Sequence, residues 1–229
     1  MNKGFLITFE GGEGCGKSTQ IKLFTEFLKK NKFRFVVSRE PGGTPVCEKI
    51  REVLLNSGSE ISSKAEFLLF SSARAQHVEE VVKPSLEQGK VVILDRFYDS
   101  SFAYQGYAGN LEVKDLEEIT KFAIDGCVPD LTIIFDISYE DGFKRKSADE
   151  KLKDLDRIES KGESYHNKVR AGYLQIAHDN PDRVVVVDAT KTKEKIFEEV
   201  VDIFLERFNL KIQNLRKNLN KSFESKIDK

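Results

Sequence analysis

No apolar run in the 229 residues approaches the ~18 needed to cross a bilayer. Before Glu10 only the stretch Phe5 to Phe9 is apolar, too short for the core of a secretion signal, so the sequence predicts a soluble, cytoplasmic protein. Cysteine is scarce: Cys15, Cys47 and Cys127 are odd in number, far apart and in no metal-ligand spacing. A disulfide framework or zinc centre is not expected from them, and free thiols are. Excess charge is also missing, since 37 basic and 38 acidic side chains leave a net charge of -1. Nothing global then draws the chain onto nucleic acid or a membrane, and any anion site must be local. Internal repeats and long Gly/Ser/Pro linkers are absent too, which predicts one compact domain over residues 1–210. The remainder, 211–229, carries six basic and two acidic residues and reads as a solvated tail, helical or disordered, rather than a binding arm.

What is present is an alternation. Five short Val/Ile/Phe-rich runs read as buried strands: Phe5 to Phe9, Phe33 to Val37, Val91 to Leu94, Leu131 to Ile137 and Arg183 to Val187. Between them apolar residues recur at helical spacing, as in Ile21, Phe24, Phe27 and Leu28, or Ile196, Val200, Ile203 and Phe204. Strands apolar on both faces, each followed by a helix, imply an α/β fold with a parallel sheet between helical layers. Ligands belong at the carboxyl ends of such strands. The segment from Tyr139 to Glu159, with six basic and seven acidic residues, buries little and reads as a surface-helical or mobile lid over about 139–160.

The strongest chemical signal is Gly11-Gly12-Glu13-Gly14-Cys15-Gly16-Lys17-Ser18, which fits GxxxxGK[ST] between the first strand and an amphipathic helix. Glycines let successive N–H groups curl inward onto phosphate oxygens, and the helix behind adds its positive end. Lys17 supplies a point charge for the β- and γ-phosphates, and the Ser18 hydroxyl suits Mg²⁺. Cys15 reads as a small residue that fits the turn. None of the Asn-Lys pairs at 31, 167 and 220 continues into the NKxD of GTPases, and no LSGGQ of transporters occurs, which leaves a small P-loop kinase. The three-layer P-loop kinase fold, with a five-stranded parallel sheet and a short lid, follows.

Two further clusters lie at strand ends. Ser38-Arg39-Glu40-Pro41-Gly42-Gly43-Thr44 follows the second strand, and Asp95-Arg96-Phe97-Tyr98-Asp99-Ser100-Ser101 follows the third. Transfer between two anions needs cations, and an arginine fork binds phosphate bidentately; Arg39 and Arg96 suit this role, with Arg51 and Arg74 near them in sequence. Asp95 ends its strand as a Walker-B carboxylate does, to orient hydrated Mg²⁺ or to accept from Arg96 or Lys17. Phe67, Phe70, Arg74 and His77 share one helix face. Core packing accounts for Phe67, a ring stacked on a base with Arg74 at its edge accounts for Phe70 and Arg74, and His77 reads as a structural hydrogen-bonder. Rival readings are a kinase of another nucleoside monophosphate, such as UMP or CMP, and a P-loop ATPase without a small acceptor.

FEGGEGCGKST, SREPGGT, FLLFSSARAQH, LDRFYDSSFAYQG, PDLT and DRIE, in this order and spacing, closely resemble bacterial thymidylate kinase over about the first 200 residues. The resemblance implies transfer of the γ-phosphoryl of ATP to dTMP with Mg²⁺, in dTTP biosynthesis, by a homodimer. By motif, Gly11 to Thr19 would hold ATP, with Ser18 and Asp95 at the metal. Phe70 would stack on thymine, Arg74 would bond its edge, and Ser101 and Gln105 would complete base recognition. Tyr104 would crowd the place of a ribose 2′-hydroxyl, Glu13 would take the 3′-hydroxyl, and Arg39, Arg51 and Arg96 would hold the acceptor phosphate. Some members carry a catalytic Arg inside the phosphate loop; Gly14 stands there, so the resemblance assigns that cation to the lid, to Arg145 or Arg157. The lid departs from the family in having Lys146, Lys151 and Lys153 where further arginines are common, and the tail beyond Leu210 lies outside the resemblance.

Overall fold

A computed structural model describes residues 4–56, 58, 60–148 and 156–210; the expectations for Lys151, Lys153 and the tail 211–229 fall outside them. The strands are β1 (Phe5–Gly11), β2 (Phe35–Arg39), β3 (Val91–Asp95), β4 (Leu131–Asp136) and β5 (Val184–Asp188). They form one sheet in the order β2-β3-β1-β4-β5, with every neighbouring pair parallel. Between them run α1 (Lys17–Lys30), α2 (Pro45–Leu55), α3 (Ser63–His77), α4 (Lys83–Glu87), α5 (Tyr98–Ser101), α6 (Val113–Ile124), α7 (Tyr139–Ala148), α8 (Glu163–Asp179) and α9 (Lys193–Arg207). Val78–Val82 and Phe102–Ala108 are π-helical.

The helices cover both sheet faces, giving the three layers expected. On one face α1 and α9 pack against β1 and β4 through Phe9, Phe24, Phe27, Phe135, Phe197 and Phe204. Phe24 and Phe204 meet edge to face at 5.1 Å, a geometry that adds to simple burial. On the other face Leu6, Val92 and Leu94 meet Val78, Val82 and Phe97, while Ile134 and Val184 meet Val169, Tyr173 and Ile176 of α8.

Two strands begin two and one residues later than the sequence pattern predicts. Phe33 closes the turn after α1, its N–H donating to Leu28 O, and turns its ring to Phe204. Arg183 stands just before β5, its carbonyl accepting from Thr132 N–H while its side chain makes a bidentate ion pair with buried Asp99. The register sets Arg39 level with Asp95, and Asp95 level with Phe9, so the carboxyl ends of β2, β3 and β1 finish side by side. Of the lid, Tyr139–Ala148 is a helix. No described helix is long and apolar enough to cross a membrane.

Candidate active site

The phosphate loop leaves β1 at Gly11 and enters α1 at Lys17 through Gly16, whose φ of 90° is in the left-handed region. Helices α2, α3 and α9 start on Thr or Ser side-chain caps, whereas α1 has none and no acidic residue in its first turn. Its free N–H groups and positive end are thus kept for an anion. Lys17 folds back over the loop, its ammonium donating to Gly11 O at 3.2 Å and Gly12 O at 3.4 Å. Gly14 has φ 68°, and a Cβ there would lie 2.0 Å from the carbonyl oxygen of Gly142, so α7 of the lid rests directly on the loop. The Cys15 thiol is buried beneath it in the core.

Arg96 is the hub. Its backbone is left-handed (φ 68°), a conformation that costs a non-glycine residue ~1–2 kcal/mol. Flanking bonds hold it there: Arg96 N–H donates to Phe9 O and Phe97 N–H to Glu10 Oε1 at 2.7 Å. The guanidinium donates to Glu13 at 2.6 Å, Gly11 O at 3.0 Å and the Tyr173 hydroxyl at 3.1 Å, and lies over the Tyr104 ring. Burial works against ionised Glu13, but Arg96, Lys17 and Lys146 outweigh it and lower its pKa to about 2.

Glu10, which the sequence reading used only to end a strand, is fully buried and accepts from Phe97 N–H, Ser100 Oγ and Tyr173 OH. Burial, then Asp99, push its pKa up to about 7. Unfolded, the carboxyl ionises near its ordinary value of 4.5, so between these values the folded chain holds more protons than the unfolded one. Stability from this group is therefore expected to fall as pH rises from 4.5 to 7 and to be level above. Melting temperatures of wild type and Glu10→Gln across pH 5–8 check this, within about a unit of the cited values. The variant should lose that slope; an identical slope in both proteins contradicts it.

One cavity of ≈ 230 Å³ brings most of the predicted residues together. Glu13, Lys17 and Ser18 line it from the phosphate loop and the start of α1, Arg39 and Asp95 from the ends of β2 and β3, and Arg96 and Arg51 beside them. Phe70, Arg74, Ser101, Tyr104 and Gln105 line it as well, together with Asp156, Ile158 and Glu159 from the carboxyl end of the lid segment. Arg39 pairs with Glu48 and Arg51 donates to Pro41 O. Arg74 is buried, anchored by Nε to Glu40 at 2.8 Å and by Nη2 to Ser101 Oγ at 3.0 Å, and its Nη1 has no partner among the described residues. An unspent buried donor in a cavity wall suits a ligand acceptor. Glu40 also meets His77, which bonds Ser38 at 2.7 Å, the structural part foreseen for that histidine.

The lid residues part company. Arg145 donates to Ala189 O at 2.7 Å and to Thr190 O, beyond β5. Arg157 binds Glu66 of α3 at 2.6 Å and Leu54 O of α2. Lys146, between them in sequence order, stands 3.8 Å from Glu13 and also pairs with Glu159.

A loop built for a polyphosphate, facing a second anion pocket of arginines and an aromatic ring, defines a P-loop phosphotransferase with a small phosphorylated acceptor. The comparisons with known proteins narrow this. A family model described as thymidylate kinase matches residues 9–200. The thymidylate kinase of Thermoanaerobacter sp. (strain X514) is 43% identical over 201 residues, 88% of this chain and 97% of that protein. That of Halothermothrix orenii is 44% identical over 198 residues, 86% and 95% of the two chains. A crystal structure of thymidylate kinase from Ehrlichia chaffeensis superposes with a TM-score of 0.68 at 32% identity, covering 88% of this chain and 99% of that one. The chain belongs to the thymidylate kinase family.

Proposed function

We propose that the protein transfers the γ-phosphoryl group of ATP to dTMP, giving dTDP and ADP, within residues 1–210 acting as one domain. The observation that carries this is the shared cavity, which Lys17 and Ser18 line together with Arg39, Arg51, Arg74, Asp95 and Arg96. Residues Gly11 to Thr19 hold the ATP phosphates, with Lys17 on the β- and γ-groups. Arg39, Arg51 and Arg96 hold the acceptor phosphate, and Glu13 takes the 3′-hydroxyl. Phe70 stacks on the base, Arg74, Ser101 and Gln105 read its edge, and Tyr104 fills the place of a 2′-hydroxyl.

The acceptor phosphate is already ionised at neutral pH, so no general base is required. Catalysis consists of placing its oxygen in line with the γ-phosphorus and offsetting the charge that spreads over the equatorial oxygens. The Ser18 hydroxyl and Asp95 carboxylate are hard oxygen donors on one cavity, which fits Mg²⁺. When bound, that ion neutralises charge on the β- and γ-phosphates.

Closure of the lid excludes water as a competing acceptor and brings a cation to the transferring group. Lys146 is the best placed, while Arg145 and Arg157 serve only by leaving their present partners. Single-turnover assays of Lys146→Ala, Arg145→Ala and Arg157→Ala decide: the residue that serves loses about 10²-fold or more. Equal, small losses in all three reject a lid cation.

Leu68 of α3 and Phe122 of α6 are large exposed apolar side chains on neighbouring helices, with Phe122 85% exposed, and support pairing as a homodimer. The cytoplasm, where ATP and dTMP meet, is the proposed location. Turnover of dTMP, dUMP, UMP and AMP side by side tests the substrate. The expected order puts dTMP first and UMP far below it. The methyl group alone separates dTMP from dUMP by only ~1–3 kcal/mol, so residual dUMP turnover agrees with the proposal. ATP hydrolysis indifferent to all four would overturn it.

A further inference from the structure

We infer that Glu66 sets the base specificity of the acceptor pocket by fixing which end of the Gln105 amide faces the nucleotide. With Glu66 in place the pocket takes a pyrimidine with a keto group at C4 and a proton on N3, and rejects one with an amino group at C4. This rests on the proposed dTMP reading and adds to it a residue that does not touch the substrate.

Glu66 lies in the first turn of α3 and is 2% exposed. Its oxygens accept from Gln105 Nε2 at 2.8 Å, from Lys161 Nζ at 3.1 and 3.2 Å, and from Arg157 Nη1 at 2.6 Å. Burial alone would favour the neutral acid, but the Gln105 amide, Lys161 and Arg157 outweigh it and hold the carboxyl below its ordinary value. An ionised carboxylate can only accept, so Gln105 has to turn its NH₂ end toward Glu66. The carbonyl Oε1, an acceptor, is then the end left for the cavity that Gln105 lines.

Arg74 contributes the complementary group, since its buried Nη1 is a donor without a partner. One donor and one acceptor on the wall match thymine or uracil, whose O4 accepts and whose N3–H donates. Cytosine presents the reverse pair, an amino donor and a bare N3, and each would meet its like. A buried polar group left facing its like loses far more than a missing methyl contact does.

Glu66→Gln should invert the reading. The carbonyl of the new amide stays with Arg157 and Lys161, which can only donate, so its NH₂ end turns to Gln105. Gln105 must then bring Oε1 round to accept, and its NH₂ faces the cavity.

The test is the ratio of kcat/KM for dTMP to that for dCMP, measured with ATP and Mg²⁺ on the full chain. Wild type, Glu66→Gln, Gln105→Met and the double variant are compared. The ratio is expected to fall about tenfold or more in each single variant. In the Gln105→Met background, Glu66→Gln should lower it no further, because the residue it acts through is gone. A ratio within about twofold of wild type in folded Glu66→Gln overturns the inference. Should that variant show no cooperative melt, Gln105→Met decides alone, and an unchanged ratio there overturns it equally. A wild type that prefers dTMP while the variants keep its ratio removes this inference only; a wild type inactive on dTMP removes the function beneath it.

Discussion

Lys17→Ala is expected to lower kcat by about 10³-fold or more while leaving the melting temperature within a few degrees of wild type. The side chain is largely buried, but its ammonium rests on two loop carbonyls that belong to the phosphate site rather than on a distant element. Removing it leaves no buried partner charge without its counterion, because Glu13 keeps Arg96 and Lys146. In the proposed mechanism, what disappears is the cation for the β- and γ-phosphates, where charge moves during transfer. Isothermal titration would show ATP bound more weakly, and quenched-flow assays would show the larger part of the loss in the chemical step. A variant with near wild-type kcat would remove the phosphate loop from the mechanism.

Arg96→Ala is expected to cut kcat/KM for dTMP by about 10³-fold or more, with some loss of stability as well. One guanidinium serves Gly11 O, Glu13 and Tyr173 at once, which ties the phosphate loop to α8. Arg96→Lys should recover only a minor part, since a single ammonium cannot reproduce a planar fork with several fixed donors. The two variants therefore separate charge from geometry. Full recovery with lysine would mean that Arg96 acts as a point charge only, and near wild-type activity of the alanine variant would make it structural.

The phosphate loop was readable from sequence because its chemistry is local: eight consecutive residues fold on one another, and strand and helix flank them within a few positions. The sheet was readable for a related reason, since strands buried on both faces announce themselves as apolar runs. Cavity-lining residues such as Arg39, Arg96 and Phe70 could be nominated because strand carboxyl ends and helical spacing point to one side of the fold.

Their supports could not. Glu10 meets Ser100 from 90 positions away and Tyr173 from 163, and nothing local marks an acid at the end of β1 as the anchor of the arginine turn. The one available signal was an acidic residue ending an otherwise apolar strand, directly before a glycine loop. Glu66 carries no mark in the sequence beyond that of an acid in the first turn of a helix, the position where the helix dipole alone explains a carboxylate. The lid was the hardest part. Six cations alternate with seven acids there, and only tertiary packing assigns Arg145 to the loop beyond β5, Arg157 to Glu66 and Lys146 to the phosphate loop. The Gly14 and Gly142 contact that places the lid helix joins residues with no sequence relation to each other.

The most direct measurement is product analysis by ³¹P NMR or ion-exchange chromatography of purified protein with ATP, Mg²⁺ and dTMP. The expected products are dTDP and ADP in equal amounts, formed only when dTMP is present and lost with Lys17→Ala. ADP accumulating without dTDP, at a rate that dTMP leaves unchanged, would contradict this.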